Sequence, residues 1–342
     1  LALGMKGSNY YIFTGGPNVK GTGVTSDVYD FNAAIGPRNE IRPLYAVQKE
    51  FGRFVRRHSW LMEAEGEYSW RVALDGDLAR AGGESAGLVT AFEATPRDSW
   101  RFLQRGFLTS AFSAGLLPRC IDGDDEPWPV DVPVVLVTST VMRGARQRQV
   151  VRFLQQGGSA LLLPVIPTLD ENLKPCTVLA DYLGGVRTVK SAAQFTRVSI
   201  ADVVNIHNNG AVYRLERLPA GARRIGIEEI SGTPLAALWE TPGGGRVLVA
   251  GFRWTHANHE HTHLLTRLAH LLNVQPRVTS SDPNVWVTLR SAGSRTMAFV
   301  MNLWSAPHAT HIVCRPAGSR KPIDLGVLNL PPMSVKVIDI NP

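Results

Sequence analysis

Short apolar runs alternate with amphipathic stretches through the middle of the chain. Residues 132–137 form a continuous apolar run, which predicts a strand buried on both faces of a parallel sheet. Residues 144–156 have the helical period and precede a Gly-Gly pair, a common helix ending. Another buried strand is predicted at 159–165 and another helix at 178–183. This alternation is typical of a doubly wound α/β domain.

Further elements of the same kind flank this block. The pattern predicts strands at 87–92, 116–121 and 246–252, and helices at 97–114 and 260–272. Residues 198–240 are less regular, and we place them in the same domain, which we assign to 84–277. Ahead of it, residues 59–83 are expected to form a linker with a short β excursion at 68–74.

The hydrophobic period changes to two in the last part of the chain. Strands are predicted at 285–289, 296–303, 311–314 and 334–338, separated by turns rich in Gly, Pro, Ser and Asp. Residues 278–342 are therefore expected to form a small antiparallel β sandwich. A structural cap is favoured over a sugar-binding module, because Trp286 and Trp304 are the sole candidates for exposed aromatic platforms.

Residues 1–58 contain one predicted strand and one predicted helix. Residues 10–13 predict a buried strand, which a Gly-Gly-Pro-Asn loop follows, and residues 43–57 predict a helix. Gly15 and Gly16 predict a tight turn with positive φ. In an α/β barrel, the loops at the carboxyl ends of the strands build the active site.

This amino-terminal pattern is the most specific in the sequence. Residues 9–18 read Asn-Tyr-Tyr-Ile-Phe-Thr-Gly-Gly-Pro-Asn, and residues 28–35 read Val-Tyr-Asp-Phe-Asn-Ala-Ala-Ile. The two segments resemble the end of the catalytic barrel of glycoside hydrolase family 35, the retaining β-galactosidases. The family pattern is Gly-Gly-Thr-Asn followed by Tyr-Asp-Tyr, so Pro17 replaces the Thr and Phe31 replaces the second Tyr. The resemblance implies that residues 1–58 are the last βα unit of a (β/α)8 barrel.

The same resemblance implies three substrate-binding positions. Tyr29 matches the first tyrosine of the motif, which borders the galactose pocket in the family, and Phe31 matches the second. Because Phe31 lacks a hydroxyl, one hydrogen bond to the sugar would be missing. Asn18 matches the family's Asn, which shapes the loop or the pocket. A galactoside substrate of the complete enzyme is therefore expected at these residues.

No catalytic residue is expected within this chain. A retaining glycosidase needs two carboxylates about 5 Å apart, and the family takes them from barrel strands before the last one. The chain begins at Leu1 rather than Met, which favours a fragment or a processed product. Glu40 and Glu50 are expected to be solvated surface charges. The resemblance thus implies the carboxyl-terminal part of a hydrolase of terminal β-galactosides, inactive on its own.

The block 84–277 carries a second, more generic resemblance. Residues 153–163 and the run Leu-Ala-Asp-Tyr-Leu-Gly at 179–184 are similar to the flavodoxin-like, class I glutamine-amidotransferase-like domain of bacterial β-galactosidases. That domain is the trimerisation domain of glycoside hydrolase family 42, so a homo-oligomer through this block is implied. Amidotransfer itself is not expected, because the turn after residue 137 holds no cysteine and Cys176 follows no strand.

Two other interpretations remain open. The first places the parent enzyme in family 42 instead of family 35, although the Gly-Gly-Pro-Asn and Tyr-Asp-Phe signatures favour family 35. Alternatively, the chain is a non-catalytic oligomerisation or carbohydrate-binding module. An upstream coding sequence that supplies the rest of a barrel and its two glutamates would distinguish an enzyme from such a module.

Composition changes this picture little. The net charge is +7, but Lys and Arg are scattered without interleaved aromatics, so a nucleic-acid partner is not expected. No apolar run approaches the ~18 residues of a membrane span. Cys120, Cys176 and Cys314 are far apart, which argues against disulfides and predicts buried apolar side chains. So few cysteines favour a cytoplasmic location, and no cofactor is predicted.

Four histidines lie within eight residues, at 256, 259, 261 and 263. His259 and His263 are spaced i, i+4 on the predicted helix, so they would share a face and have the spacing of zinc or nickel ligands. The favoured interpretation is that these polar residues cap and cover the first helical turn. A structural or adventitious metal site at His259 and His263 is the second, and a catalytic metal is the third.

Overall fold

The computed structural model describes residues 1–23, 26–81, 94–124, 127–191, 195–256 and 258–340. The chain divides into two compact units. The first unit consists of Leu1–Gly66, Leu289–Ala298 and Ile338–Pro342, and the second consists of Glu67–Thr288 and Phe299–Val337. No described helix is both long enough and apolar enough to cross a bilayer.

The first unit is built mainly from loops around one long helix. Its elements are β1 (Gly16–Pro17), β2 (Val28–Tyr29), α1 (Pro43–Arg57), a 3-10 helix (Ser59–Met62) and β3 (Glu65–Gly66). The helix predicted at 43–57 is confirmed with the same bounds. Pro43 occupies its first turn, where a missing N–H costs nothing, and Arg56 and Arg57 lie at the negative end of its dipole.

The buried strand predicted at residues 10–13 is wrong. Tyr10, Tyr11 and Phe13 are all exposed, and none belongs to a strand. A strand buried on both faces needs a partner on each edge. The described residues offer this segment one isolated bridge, between Thr14 and Ile35. Without neighbouring strands, the apolar run has no sheet to join.

The rest of the chain supplies the remaining elements. In chain order they are β4 (Trp70–Leu74), α2 (Gly76–Ala81), α3 (Pro96–Phe102), a π-helical turn (Leu103–Phe107), α4 (Leu108–Ser113), β5 (Pro118–Asp122), β6 (Val134–Val137), α5 (Gly144–Gln155), β7 (Ala160–Leu163), α6 (Val178–Tyr182), β8 (Arg187–Lys190), β9 (Phe195–Ile200), β10 (Val203–Asn209), β11 (Tyr213–Glu216), β12 (Arg223–Glu228), β13 (Pro234–Glu240), β14 (Arg246–Ala250), α7 (His259–Leu271), β15 (Val278–Ser280), β16 (Val285–Ala292), β17 (Arg295–Asn302), β18 (His308–Cys314), β19 (Ile323–Leu330) and β20 (Ser334–Asp339).

A nine-stranded mixed sheet is the centre of the second unit. Its order is β10-β9-β12-β13-β14-β7-β6-β4-β5. The five strands from β14 to β5 are parallel, and the other four are antiparallel to their neighbours. The antiparallel strands β9, β10, β12 and β13 come almost entirely from residues 198–240, which look less regular in the sequence. The strand predicted at 87–92 lies outside the described residues.

Helices cover both faces of the parallel half of this sheet. Val135 and Val137 pack in one core with α3, the π-helical turn and α7. Val134 and Leu136 pack in a second core with α5 and α6. Alternate residues of a strand point to opposite faces, so a strand covered on both sides is apolar throughout. The structure is thus rich in β-sheet, with several sheets and flanking helices; its assignment to a barrel end and an amidotransferase-like domain stays a prediction.

The segment 59–83 is more than a linker. Its strand β4 lies inside the nine-stranded sheet, between β6 and β5. Trp70 is fully buried there, and its indole N–H donates to the Leu116 carbonyl oxygen at 3.0 Å. This burial explains why the excursion predicted at 68–74 forms a strand of the sheet.

Two smaller sheets contain the carboxyl-terminal strands. Their orders are β15-β18-β19 and β20-β17-β16-β3. Trp286 is half-buried and stacks on Phe112 with ring centroids 5.0 Å apart, whereas Trp304 is exposed. The predicted burial of the cysteines is confirmed for Cys314 and wrong for Cys120, which is exposed on β5, whereas Cys176 is half-buried.

Candidate functional site

The loop between β1 and β2 is fixed by its own backbone. Gly16 pairs with Tyr29 in the short antiparallel ladder. The Asn18 backbone N–H donates to the Asp27 carbonyl oxygen at 2.8 Å, and its side-chain amide donates to the Ser26 carbonyl oxygen at 2.8 Å. Asn18 therefore shapes the loop, which is one of the two roles that the sequence left open.

Gly15 and Gly16 are needed for close packing instead of a left-handed turn. Neither has a positive φ, so that prediction is wrong. A Cβ on Gly16 would lie 2.9 Å from the Tyr29 hydroxyl oxygen, and one on Gly15 would lie 3.1 Å from the Tyr29 carbonyl oxygen. The Tyr29 ring thus lies against the Gly16 backbone, and larger residues there would displace it.

Aromatic side chains are concentrated and exposed around this loop. We call Tyr10, Tyr11, Phe13, Tyr29 and Phe31 the aromatic surface. Tyr11 is 81% exposed and Phe31 is 66% exposed, with their ring centroids 5.8 Å apart. Phe31 has a φ of 45°, a left-handed conformation that is uncommon for an aromatic residue. The backbone therefore holds a large apolar ring out in solvent.

A cluster of charged residues, which we call the charged clamp, holds the segment that follows β2. Both Arg42 guanidinium Nη atoms contact the Asp30 carboxylate, at 2.5 and 2.9 Å, and Nη2 also contacts the Glu40 carboxylate at 2.9 Å. The Arg42 hydrogen bond is the main reason that the pKa of Asp30 is lowered. The pKa of Glu40 is also lowered, first by its own backbone N–H and then by Arg38 and Arg42. The sequence analysis missed this clamp.

The histidine cluster is in the second unit, at the start of α7. His259 and His263 are exposed, whereas His261 is fully buried. Among the described residues, no three His, Cys, Asp or Glu side chains are grouped to hold a metal ion. A two-ligand site at His259 and His263 stays a prediction. Asn258 is the N-cap residue of α7, although its side chain makes no capping hydrogen bond.

His261 and His256 have specific partners below the helix. The Nδ1 atom of His261 lies 3.1 Å from the Asn258 side-chain oxygen, and its ring meets the Trp254 indole edge to face. The Nδ1 atom of His256 lies 2.7 Å from the Ser110 hydroxyl, which also accepts the Trp254 indole N–H at 2.8 Å. Burial lowers the pKa of His256 and lowers that of His261 to about 4. Burial therefore favours the neutral form of both histidines.

The chain is similar in sequence to several proteins that are named as glycoside-processing enzymes. A family model described as the second domain of GLMA-like proteins matches residues 122–217. The chain is 26% identical over 303 residues to an exo-β-D-glucosaminidase of Thermococcus kodakarensis, covering 83% of this chain and 37% of that protein. It is 22% identical over 367 residues to a β-1,2-glucosyltransferase of Ignavibacterium album, covering 100% of this chain and 49% of that protein.

The fold is similar to that of solved glycosidases. Gan42B, a GH42 β-galactosidase from G. stearothermophilus, matches with a TM-score of 0.69 at 14% identity, over 91% of this chain and 46% of that one. A β-galactosidase from Bacillus circulans sp. alkalophilus matches with a TM-score of 0.66 at 15% identity, over 90% and 46%. The chain thus spans half or less of each of these proteins. A glycosidase-type origin is supported, but family 35 specifically is not.

Proposed function

We propose that this chain is the carboxyl-terminal part of an exo-acting glycoside hydrolase that removes terminal β-linked sugars. The observation that carries the proposal is the aromatic surface, whose residues lie before β1, at the end of β2 and just after β2. A pyranose ring has an apolar face and a rim of hydroxyls, so it is bound by exposed aromatic rings with polar groups beside them. Tyr11, Tyr29 and Phe31 offer such rings and two phenol hydroxyls.

The carboxylates nearest to this surface do not have the properties of a catalytic pair. A retaining mechanism needs one carboxyl group with a raised pKa as the acid, and an unpaired carboxylate as the nucleophile. Asp30 and Glu40 share the Arg42 guanidinium, and both pKa values are lowered. We therefore propose that they hold the loop and that the catalytic carboxylates come from sequence outside this chain.

We propose two alternative substrates, a terminal β-galactoside and a terminal β-glucosaminide. The sequence resemblance favours terminal β-galactosides, and two curated relatives are named exo-β-D-glucosaminidases. Chromogenic β-galactoside and β-glucosaminide should be offered to this chain and to the protein extended upstream to a complete barrel. We expect hydrolysis of one of them by the extended protein alone. Hydrolysis by the short chain would refute the placement of the catalytic groups, and failure of the extended protein on both substrates would refute the proposal.

Phe31 provides the sharper test within this chain. In the extended protein, Phe31→Ala should lower kcat/KM about tenfold, the effect of about 1.4 kcal/mol of lost stacking. Phe31→Tyr introduces the second tyrosine hydroxyl of the Tyr-Asp-Tyr pattern and should raise the preference for galactoside over glucosaminide. Trp304→Ala removes an exposed aromatic residue of the second unit and is the matched control. Equal loss in both alanine variants would argue against a sugar at Phe31.

We also propose that the second unit forms a homo-oligomer through the antiparallel half of its large sheet. Strand β10 is an edge strand, and edge strands with apolar neighbours tend to associate. Phe195, Val204 and Ile230 are strongly exposed on β9, on β10 and just after β12. Burying such side chains in a second copy of the chain would remove them from water.

Light scattering coupled to size exclusion tests this interface. The wild-type chain should elute as an oligomer, and Phe195→Glu should shift it to the monomer, because a buried unpaired carboxylate is strongly unfavourable. Val327→Glu is the control, since Val327 is equally exposed on a strand far from β10 in the sequence. A monomeric wild-type chain, or the same shift in both variants, would contradict the proposal.

A further inference from the structure

A cavity of about 560 Å³ lies at the carboxyl ends of β6 and β7. Its walls come from the segments after these strands, from the start of α6 and from β8. The volume is within the range of small-molecule sites, and open α/β sheets bind ligands at this edge. The first unit contributes no residue to the cavity. The surface described above therefore has no part in it.

Two threonine hydroxyl groups in the cavity can still donate a hydrogen bond. The Thr140 hydroxyl oxygen accepts the Ala94 backbone N–H at 3.0 Å, and the Thr188 hydroxyl oxygen accepts the Ile166 backbone N–H at 2.9 Å. A hydroxyl that accepts a hydrogen bond keeps its own O–H for another acceptor. Both threonines line the cavity, so each can offer an O–H to a ligand.

Two arginines add positive charge to the same walls. Arg187 and Arg217 line the cavity and are exposed, and among the described residues neither guanidinium group has an ion pair or a hydrogen bond. The carboxylate across the ladder from Arg187, Glu216, is paired with Arg214 at 2.8 Å. Arg217 has a φ of 56°, a conformation that non-glycine residues rarely adopt. Strain of this kind is concentrated at functional sites.

One acidic residue, Asp181, also lines the cavity. Its carboxylate accepts the Thr177 hydroxyl at 2.8 Å, so part of its hydrogen-bonding capacity is used within α6. The cavity as a whole has two guanidinium groups and two available hydroxyl donors against this one carboxylate. Such a set is donor-rich, which suits a ligand that is rich in acceptors and negatively charged.

We propose that this cavity binds a small organic anion, in which a carboxylate or phosphate is carried on a hydroxylated body of monosaccharide size. Arg187 and Arg217 bind the charged group, and the threonine hydroxyls bind the oxygens of the body. Apolar walls such as Ile166 and Leu169 exclude water around it. This site does not depend on the function proposed for the aromatic surface.

Isothermal titration of the 342-residue chain tests the site. The ligands are glucose 6-phosphate, glucuronate and uncharged glucose. We expect saturable binding of at least one of the two anions and at least tenfold weaker binding of glucose. Binding of glucose 6-phosphate alone assigns a phosphate, and binding of glucuronate alone assigns a carboxylate. Equal binding of glucose, or no saturable binding of either anion, would overturn the proposal.

Arginine variants localise the binding. The double variant Arg187→Ala/Arg217→Ala should weaken the anion at least about tenfold, the usual effect of losing charged hydrogen bonds. Arg197→Ala is the matched control, because Arg197 is an exposed arginine on β9 that does not line the cavity. The thermal midpoints of both variants without ligand verify folding. Unchanged affinity in a folded double variant would place the anion elsewhere and refute this assignment.

Discussion

Alanine at position 106 should destabilise the second unit by at least about 3 kcal/mol. Gly106 lies in the π-helical turn Leu103–Phe107, where a Cβ atom would stand 1.9 Å from the Trp254 carbonyl oxygen and 2.8 Å from its carbonyl carbon. Both are backbone atoms, so no side-chain rotation relieves the clash. The helix would have to move away from the sheet, and overpacking costs 1–3 kcal/mol or more. Urea unfolding followed by circular dichroism measures the loss.

The packing around Gly106 explains why this movement is unfavourable. Phe107 and Trp254 are fully buried in the core on that face of the sheet, with their rings 5.8 Å apart and edge to face. Phe107 also packs against Trp70 at 5.7 Å. A helix displaced by the clash would open space between these three rings, and cavities in a core are costly.

Gly52→Ala is the matched control for this prediction. Gly52 is also a helical glycine, in α1, but nothing lies within 4 Å of a Cβ added there. Alanine should therefore stabilise the first unit by roughly 0.5–1 kcal/mol, through helix propensity alone. If Gly106→Ala cost no more than ~1 kcal/mol, the close approach of the turn to Trp254 would not be a feature of the folded protein.

The parallel strands of the large sheet were predictable because their burial is visible in the residues of each strand itself. Strands β6, β7 and β14 are covered on both faces, so each is a continuous apolar run between turn signals. Helices α5 and α7 have one buried and one exposed face, and the helical period shows it. For these elements, the environment of every residue follows from its immediate neighbours in the sequence.

The role of β4 depends on distant partners and was not predictable. Its five residues pair with β5, 48 residues later in the chain, and three of them also pair with β6, 63 residues later. A short apolar run looks the same in an isolated excursion and in a central strand. The antiparallel strands were obscure for a related reason, since β10 and β12 contain register shifts that break the alternation.

The substrate-binding role of Asn18, Tyr29 and Phe31 stays a prediction, and the geometry around them could not be predicted from the sequence. Asn18, Tyr29 and Phe31 do belong to one loop region, because the motif that suggested them spans a short stretch of chain. Tyr10, Tyr11 and Phe13 are exposed, contrary to the buried strand predicted at residues 10–13. The sequence of an apolar run does not show whether other strands are present to pair with it and bury it. The clamp of Arg42 on Asp30 was missed because opposite charges 12 residues apart are common in any loop.

Lowering the pH from 7.5 to 5.0 should remove about 2 kcal/mol of stability through His261 alone. Burial holds the pKa of His261 at about 4 in the folded protein, against 6.5 for a free side chain. Below pH 6.5 the His261 side chain is protonated in the unfolded chain, whereas in the folded chain it is protonated only below about pH 4. The stabilisation is therefore complete above pH 6.5 and is lost as the pH falls towards 4.

The chemistry around His261 explains why its charged form is unfavourable. The side chain is fully buried, its Nε2 atom has no hydrogen-bond partner among the described residues, and the His256 ring, with its centroid 6.4 Å away, would add a like charge. A protonated ring would carry an unpaired N–H in an apolar site. The Asn258 side-chain oxygen, which contacts Nδ1, can accept one hydrogen bond but cannot neutralise the charge.

His261→Phe measures the contribution of His261 to the pH dependence of stability, because it keeps a planar ring against Trp254 and removes the titrating group. Urea unfolding at pH 7.5 and pH 5.0 should show a pH-dependent loss that is about 2 kcal/mol smaller in this variant than in the wild-type chain. His259→Gln, an exposed histidine on the same helix, should keep the wild-type loss. If His261→Phe lost as much stability as the wild type, the acid sensitivity would come from other groups. In that case His256, whose pKa burial also lowers, is the next histidine to replace.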